Sequence, residues 1–435
     1  MVSHEVVVTG IGVICSQATS PQQLFDRLKN KQSSIRNHPQ YRAYGLPNPA
    51  CAYIDEDVWQ QLRMRQRPSA YPLGPQALLA AYAAEQALAQ SSIDIGTVDR
   101  KGVFVGSNKY TFTEQQLVAL GRHYDPVADR VDLDGYRRHE CHDVATHFHK
   151  RPEVAALALG VLYGFGDVVM TPGDACAAGG ISIGTGYRHI VHGELDVALV
   201  GATEVMSNYV PLVAFSALGA MSQIASDSPE TISRPFDKDR SGFLMGEGSA
   251  FLVLESLEHA QQRGATILAR ISGFAKQTEA WRISASPPDG SQYARCIHAA
   301  ITDAGLAADA IDHINAHGTS TQQNDACESA AIKLVFGTRA GSIPVTSNKS
   351  ALGHSFAASG AIEAVLSVMS LQQQVLLPTL NFTEGDDATA GLDVVRDCRP
   401  ASISHIVSSS FGFGGENCAL VFSKPTEVLN FSYES

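Results

Sequence analysis

Short apolar runs alternate with segments of helical periodicity along this chain, and the alternation predicts its elements. Glu5 to Ser16, dense in β-branched residues and interrupted by Gly10 and Gly12, predicts a buried first strand entering a loop. Ser20 followed by Pro21 predicts a helix start, with Ser20 as its cap. Residues 41–72 carry no clear period and are expected to form loops. Leu73 to Ala89 predicts an alanine-rich helix leading to a strand at Gly102 to Gly106, and the runs 196–201 and 249–257 predict further strands. Leu257 to Arg263 starts a helix that closes the first half. The second half repeats the plan: strands at 266–274 and 311–316, helices at 292–304, 326–336 and 360–374, and a closing strand pair at 405–410 and 419–423. This alternation predicts an α/β fold with largely parallel sheets. Two related halves, 1–260 and 261–424, are expected, with a peripheral tail over 425–435.

At 435 residues the chain is long enough for two cores or one large duplicated domain around a deep site. The hydrophobic share of 44% and charged share of 17% suit a globular protein, and no apolar run has the length of a membrane span. A formal charge of −12 argues against nonspecific nucleic-acid binding, which needs a basic surface. The 8 scattered cysteines form no paired framework, and Met1 to Glu5 lacks the start of a signal peptide, so reduced thiols and a cytoplasmic location are expected. Histidines, arginines and a cysteine crowd Tyr136 to Arg151, yet follow neither a C-x-x-C nor an H-E-x-x-H spacing; no metal is expected there.

The candidate chemistry centres on Gly173-Asp174-Ala175-Cys176-Ala177-Ala178-Gly179-Gly180, a small-residue turn opening into a helix over Ile181 to His192. A short apolar run at Val168 to Thr171 precedes it, placing the thiol at a strand-to-helix turn. There the helix dipole and unpaired N–H groups favour the nucleophilic thiolate. The small residues around Cys176 are expected to leave space for an acyl group. Two histidine motifs lie downstream: Asn315-Ala316-His317-Gly318-Thr319-Ser320-Thr321, and Asn348-Lys349-Ser350-Ala351-Leu352-Gly353-His354.

Together with Arg234 to Phe243, Gly246-Glu247-Gly248 and Ser410 to Asn417, these motifs make the chain, from Glu5 to about Ser423, resemble the elongating β-ketoacyl-acyl carrier protein synthases of fatty-acid and type II polyketide assembly. The resemblance implies a thiolase-like fold and a Cys-His-His site of Cys176, His317 and His354. Lys349 and Glu363 would support the histidines. The backbone of Phe413 would share the oxyanion hole with that of Cys176, its ring gating the pocket. Thr319 and Thr321 would hold the phosphopantetheine arm. No cofactor is implied beyond that arm, which arrives on an acyl carrier protein. A dimer is also implied, with an identical or a ketosynthase-like partner.

Several positions depart from the family pattern. Asp174 stands where a small hydroxyl residue is usual and is expected to cap the following helix. Lys109 and Tyr110 occupy the base of the expected acyl tunnel, which points to a short, polar or unsaturated acyl group and to secondary metabolism. Arg282 replaces a usual histidine, and Met221 to Ala225 lacks the usual arginine. Carrier docking is therefore expected at Arg63, Arg65 and Arg67. Two other readings use the same residues: an acyltransferase that forms acyl-Cys176 without elongation, and a chain-length partner subunit, which the intact Cys176, His317 and His354 count against.

Overall fold

The computed structural model describes residues 4–43, 45–65, 73–108, 114–139, 151–206 and 210–425. Eleven strands form its main sheet: β1 (Val6–Cys15), β2 (Lys101–Gly106), β3 (Val168–Met170), β4 (Val197–Glu204), β5 (Gly248–Ser256), β6 (Ala269–Thr278), β7 (His313–Asn315), β8 (Pro344–Thr346), β9 (Asp393–Val394), β10 (His405–Gly412) and β11 (Glu416–Ser423). Their spatial order is β9-β8-β7-β10-β11-β6-β1-β5-β4-β2-β3. Read outward from the β1–β6 junction, β1-β5-β4-β2-β3 and β6-β11-β10-β7-β8 have the same sequence of pairings: antiparallel, antiparallel, parallel, parallel. The duplication expected from the sequence is thus present in the topology. The expectation of largely parallel sheets is corrected: each half joins a parallel wing to antiparallel strands. A mostly apolar run fits a strand buried on both faces, whatever the direction of its neighbour.

Five helices position the site: α1 (Pro75–Ser91), α2 (Ala178–Val191), α3 (Ser291–Asp303), α4 (Gln322–Phe336) and α5 (Ser359–Gln373). Helix α1 covers β1 and β5, and α3 covers β6 and β11. Helices α2 and α5 lie between the halves. The first packs on β2, β4, β5, β6 and β11, and the second on β1, β4, β5 and β10. Ile181, Ile183 and Ile190 of α2 share one continuous core with Ile362, Val365, Leu366 and Val368 of α5. Burial on nearly every side explains why α5 is apolar around most of its circumference.

The glycines after Cys176 serve this packing. A Cβ on Gly179 would lie 2.5 Å from the Ala357 carbonyl oxygen, and one on Gly180 would lie 2.7 Å from Cys418 Sγ. The expected free space at these two positions is therefore filled by the opposite half of the molecule. Residues 41–72 also differ from the expected loops, because short helices occupy Pro39–Ala43 and Glu56–Arg65. The second buries only Leu62, which is too narrow a face to leave a hydrophobic period in the sequence.

Candidate active site

Cys176 lies on a single 3-10 turn, Ala175–Ala177, immediately before α2. Ala175 has φ 48°, a left-handed conformation that costs a residue with a Cβ about 1–3 kcal/mol. The surroundings sustain it: the Asn108 side-chain amide donates to the Ala175 carbonyl at 2.7 Å, and the Ala177 N–H donates to the Asp174 carbonyl at 3.0 Å. Asp174 does not cap the helix with its side chain. Its carboxylate pairs with Lys276 on β6 instead, so the capping expectation is corrected. The thiol is almost fully buried and sits among Phe243, Phe356, Leu212 and Met221, with Phe215 and Phe413 packed against them.

A cavity of about 550 Å³ opens beside it, lined by Cys176, His317, His354, Thr319, Thr321 and Phe413. The two imidazoles stand edge to face with centroids 5.3 Å apart. Residues far apart in the chain thus meet at one space.

Each histidine is held by its own hydrogen bonds. His354 Nδ1 accepts the Phe356 N–H at 3.3 Å and lies 3.0 Å from Ser359 Oγ, whose oxygen also accepts the Ser355 N–H. Accepting at Nδ1 requires the proton of the neutral ring to be on Nε2. The Phe356 ring stacks on the same imidazole at 4.9 Å.

His317 follows β7. Its backbone N–H and that of Gly318 donate to the two oxygens of Glu328, each at 2.7 Å. The next two N–H groups, of Thr319 and Ser320, donate to Asp325 at 3.0 and 3.1 Å. Asp325 and Glu328 are one turn apart on α4, so a single helix face holds the whole turn. Lys349 pairs with Glu363 and donates to the His317 carbonyl at 2.7 Å. Burial, followed by the charge of Lys349 and the proximity of His354, holds the His317 imidazole well below its ordinary protonation range. Burial raises Glu363 above the usual carboxylate range despite Lys349, and pushes Glu328 up to about 7.

The Thr319 and Thr321 hydroxyls lie 3.0 Å apart on the cavity wall, and Thr321 also caps α4 through the Asn324 N–H. Arg282 lines the mouth with its guanidinium 5.7 Å from the Trp281 ring. Arg63 pairs with Glu56, the Arg65 guanidinium lies 5.8 Å from the Tyr82 ring, and neither lines the cavity. Arg67, Lys109 and Tyr110 lie outside the described residues, as do positions 140–150 of the histidine-rich segment. Among the described residues no group of histidines, cysteines and carboxylates could hold a metal ion.

Sequence reasoning missed Glu328, Asp325 and Asn108. For the first two a signal exists, because these acidic residues lie on the buried side of α4 together with Cys327, Ala331 and Ile332. A carboxylate on a buried helix face requires a partner.

The β-ketoacyl synthase N-terminal domain matches residues 3–260, and the β-ketoacyl synthase C-terminal domain matches residues 268–383. The chain belongs to the β-ketoacyl synthase family. It is 36% identical over 424 residues to 3-oxoacyl-[acyl-carrier-protein] synthase 2 of Mycobacterium tuberculosis, covering 96% of this chain and 97% of that protein. It is 34% identical over 436 residues to putative polyketide beta-ketoacyl synthase 1 of Streptomyces cyaneus, covering 97% and 99%. Among solved structures, a type II polyketide synthase acyl-carrier protein in complex with its ketosynthase bound to the hexaketide matches with a TM-score of 0.85 and 29% identity, over 97% of this chain and 100% of that chain. The ishigamide ketosynthase/chain length factor matches with a TM-score of 0.83 and 28% identity, over 98% and 100%. The fold is thiolase-like, and the protein is a condensing acyltransferase. No helix among the described residues is long and apolar enough to cross a membrane.

Proposed function

We propose that Cys176 accepts an acyl group from an acyl carrier protein and that the enzyme extends it by decarboxylative condensation with a malonyl group on the same kind of carrier. The observation that carries this reading is the convergence of Cys176, His317 and His354 on one cavity. In the first step the Cys176 thiolate attacks the thioester carbonyl, a new C–S bond forms, the carrier's own C–S bond breaks, and the carrier's sulfur leaves as a thiolate that takes a proton from water. The backbone N–H groups of Cys176 and Phe413 form the oxyanion hole, each such donor contributing about 3 kcal/mol to the transition state. In the second step the bond between the malonyl α-carbon and its carboxylate breaks, and carbon dioxide departs. The electron pair passes into an enolate whose oxygen accepts N–H bonds from His317 and His354. A histidine held neutral by burial and by Lys349 suits that role, because it donates without first having to lose a charge. The α-carbon then attacks the acyl-Cys176 carbonyl, the C–S bond breaks, and the thiolate is restored.

Lys349 and Glu363 hold the His317 turn, and Thr319 and Thr321 bind the phosphopantetheine arm. The reaction takes no cofactor beyond that arm. The acyl group is short, polar or unsaturated, the product belongs to secondary metabolism, and the enzyme works in the cytoplasm. Arg63, Arg65 and Arg67 attract an acidic carrier. The enzyme works as a dimer with a second copy or with a ketosynthase-like partner, a reading supported by the relative described as a ketosynthase/chain length factor.

The test is incubation with acyl-carrier and malonyl-carrier thioesters, following carbon dioxide and the product's mass. Condensation yields carbon dioxide and a β-ketoacyl thioester two carbons longer. Acylation of the enzyme without either result identifies a transacylase.

A further inference from the structure

Strands β2 and β4 run parallel, with Gly106 opposite Ala202. Asn108 and Glu204 each lie two residues further along the chain from this last pair. Each reaches one of the two turns that begin the central helices. The Asn108 amide donates to the carbonyl of Ala175, the left-handed residue before Cys176, at 2.7 Å. A Glu204 carboxylate oxygen accepts the N–H of Ala357 at 3.4 Å, one residue after Phe356, which has φ 44°. Phe356 in turn donates its N–H to His354 Nδ1. Glu204 is fully buried, and the Asn108 side-chain oxygen is buried with no hydrogen-bond partner, so neither polar group faces solvent.

We infer that Asn108 and Glu204 are a matched pair of positioning residues: Asn108 sets the Cys176 turn for acylation, and Glu204 sets the Phe356 turn and thereby His354 for decarboxylation. The inference rests on the reading of Cys176 as nucleophile and of His354 as enolate donor. A carbonyl oxygen can only accept, so the Asn108 side chain must present its NH₂ to Ala175, and the amide orientation is determined. Releasing that carbonyl frees a turn held in a costly conformation, and the thiol loses its fixed direction. Each strand end therefore governs one half-reaction.

The two half-reactions can be separated by single-turnover acylation of the intact enzyme with a but-2-enoyl-carrier thioester, a short unsaturated acyl group, followed by carbon dioxide release when malonyl-carrier is added to the acylated enzyme. Asn108→Leu, close in size and unable to donate, slows acylation about ten-fold, the effect of losing one orienting hydrogen bond. The carrier concentration giving half-maximal rate stays unchanged, and carbon dioxide release from enzyme already acylated remains near the wild-type rate. Glu204→Leu does the reverse, with near-normal acylation and decarboxylation slowed about ten-fold. Glu204→Gln, which keeps an accepting oxygen, restores decarboxylation. Parallel losses of both half-reactions in both leucine variants, or Asn108→Leu acylating like wild type, would overturn the inference. Failure of the wild-type enzyme to be acylated at Cys176 would instead overturn the underlying reading. If Glu204→Leu does not fold, failure of Glu204→Gln to decarboxylate normally while folded overturns the assignment of its accepting oxygen.

Discussion

The turns that open the two central helices are alike in conformation and opposite in use. Before the first stands Asp174 (φ −91°, ψ 48°), and before the second Ser355 (φ −89°, ψ 26°). Each then has a left-handed residue, Ala175 with φ 48° and Phe356 with φ 44°, and each leads through a 3-10 turn into a long buried helix. The second turn residue is Cys176 in one and Ala357 in the other. At the first helical position, Ala178 contributes only a methyl group, whereas the Ser359 hydroxyl engages His354 and the Ser355 N–H. In the proposed mechanism one half uses the strained turn to present a nucleophile. The other uses it to hold an imidazole, and the two meet because the duplicated sheet brings both helix starts to the same place.

The largest effect expected from breaking this asymmetry is at its centre. Cys176→Ala leaves condensation at background, a loss of at least about a thousandfold in single-turnover product formation, since no other group in the turn can hold the acyl chain. His317→Ala lowers carbon dioxide release from malonyl-carrier about a hundredfold while leaving acylation of Cys176 within a few-fold, because the enolate loses one of its fixed donors. Retention of full decarboxylation would mean that His354 suffices alone.

Glu328→Gln is a subtler change. As a carboxylate, Glu328 accepts two backbone N–H groups; an amide offers one acceptor oxygen, so decarboxylation falls about ten-fold. Protonation sets the direction of the pH dependence. Burial raises Glu328 to about 7, so it takes up a proton as pH falls through that value and holds the His317 turn less firmly. Decarboxylation by the wild-type enzyme therefore rises as pH climbs through about 7, and the rise disappears in Glu328→Gln. Protonation of His317 does not supply this inflection, because its range is displaced well below the ordinary 6.5. For stability the same Glu328 has the opposite sign: its raised value favours the folded state below its ordinary 4.5, and that contribution is lost as pH rises through about 7.

The smallest effect tests whether turn shape alone makes a nucleophile. Ala357→Cys places a thiol at the equivalent position of the second turn, and intact-protein mass after acylation still shows one acyl group. The Ala357 N–H is engaged by Glu204, and this position does not line the cavity. A second acyl group would show that the two turns remain functionally interchangeable.

Much of this asymmetry is legible in the residue order. Cys176 before a small-residue helix, and His317 and His354 in glycine-flanked turns, announce themselves locally, and so does the helix start at Ser20, whose hydroxyl accepts the Gln23 N–H. Strand direction is less legible: β1 reads as a buried strand by composition, but its antiparallel partners β5 and β6 lie far along the chain. Asp174 misleads for a related reason. Its position suits a cap, and only the folded sheet brings Lys276 to it. Asn108 carries no local mark at all, since its role depends on β2 ending beneath a turn that begins much later in the chain.

In the proposed mechanism acyl transfer rests on one thiol, Cys176, although Cys327 also lines the cavity. Both thiols are buried; Cys327, pushed up to about 12, lies within α4, whereas Cys176 stands at the start of a 14-residue helix, where the dipole favours thiolate. The most direct measurement is proteolysis of the enzyme after a single exposure to acyl-carrier thioester, with mass mapping of the modified peptide. The prediction is an acyl group on the peptide containing Cys176 and none on the peptide containing Cys327. Acylation at Cys327, or acylation that persists undiminished in Cys176→Ala, would contradict it.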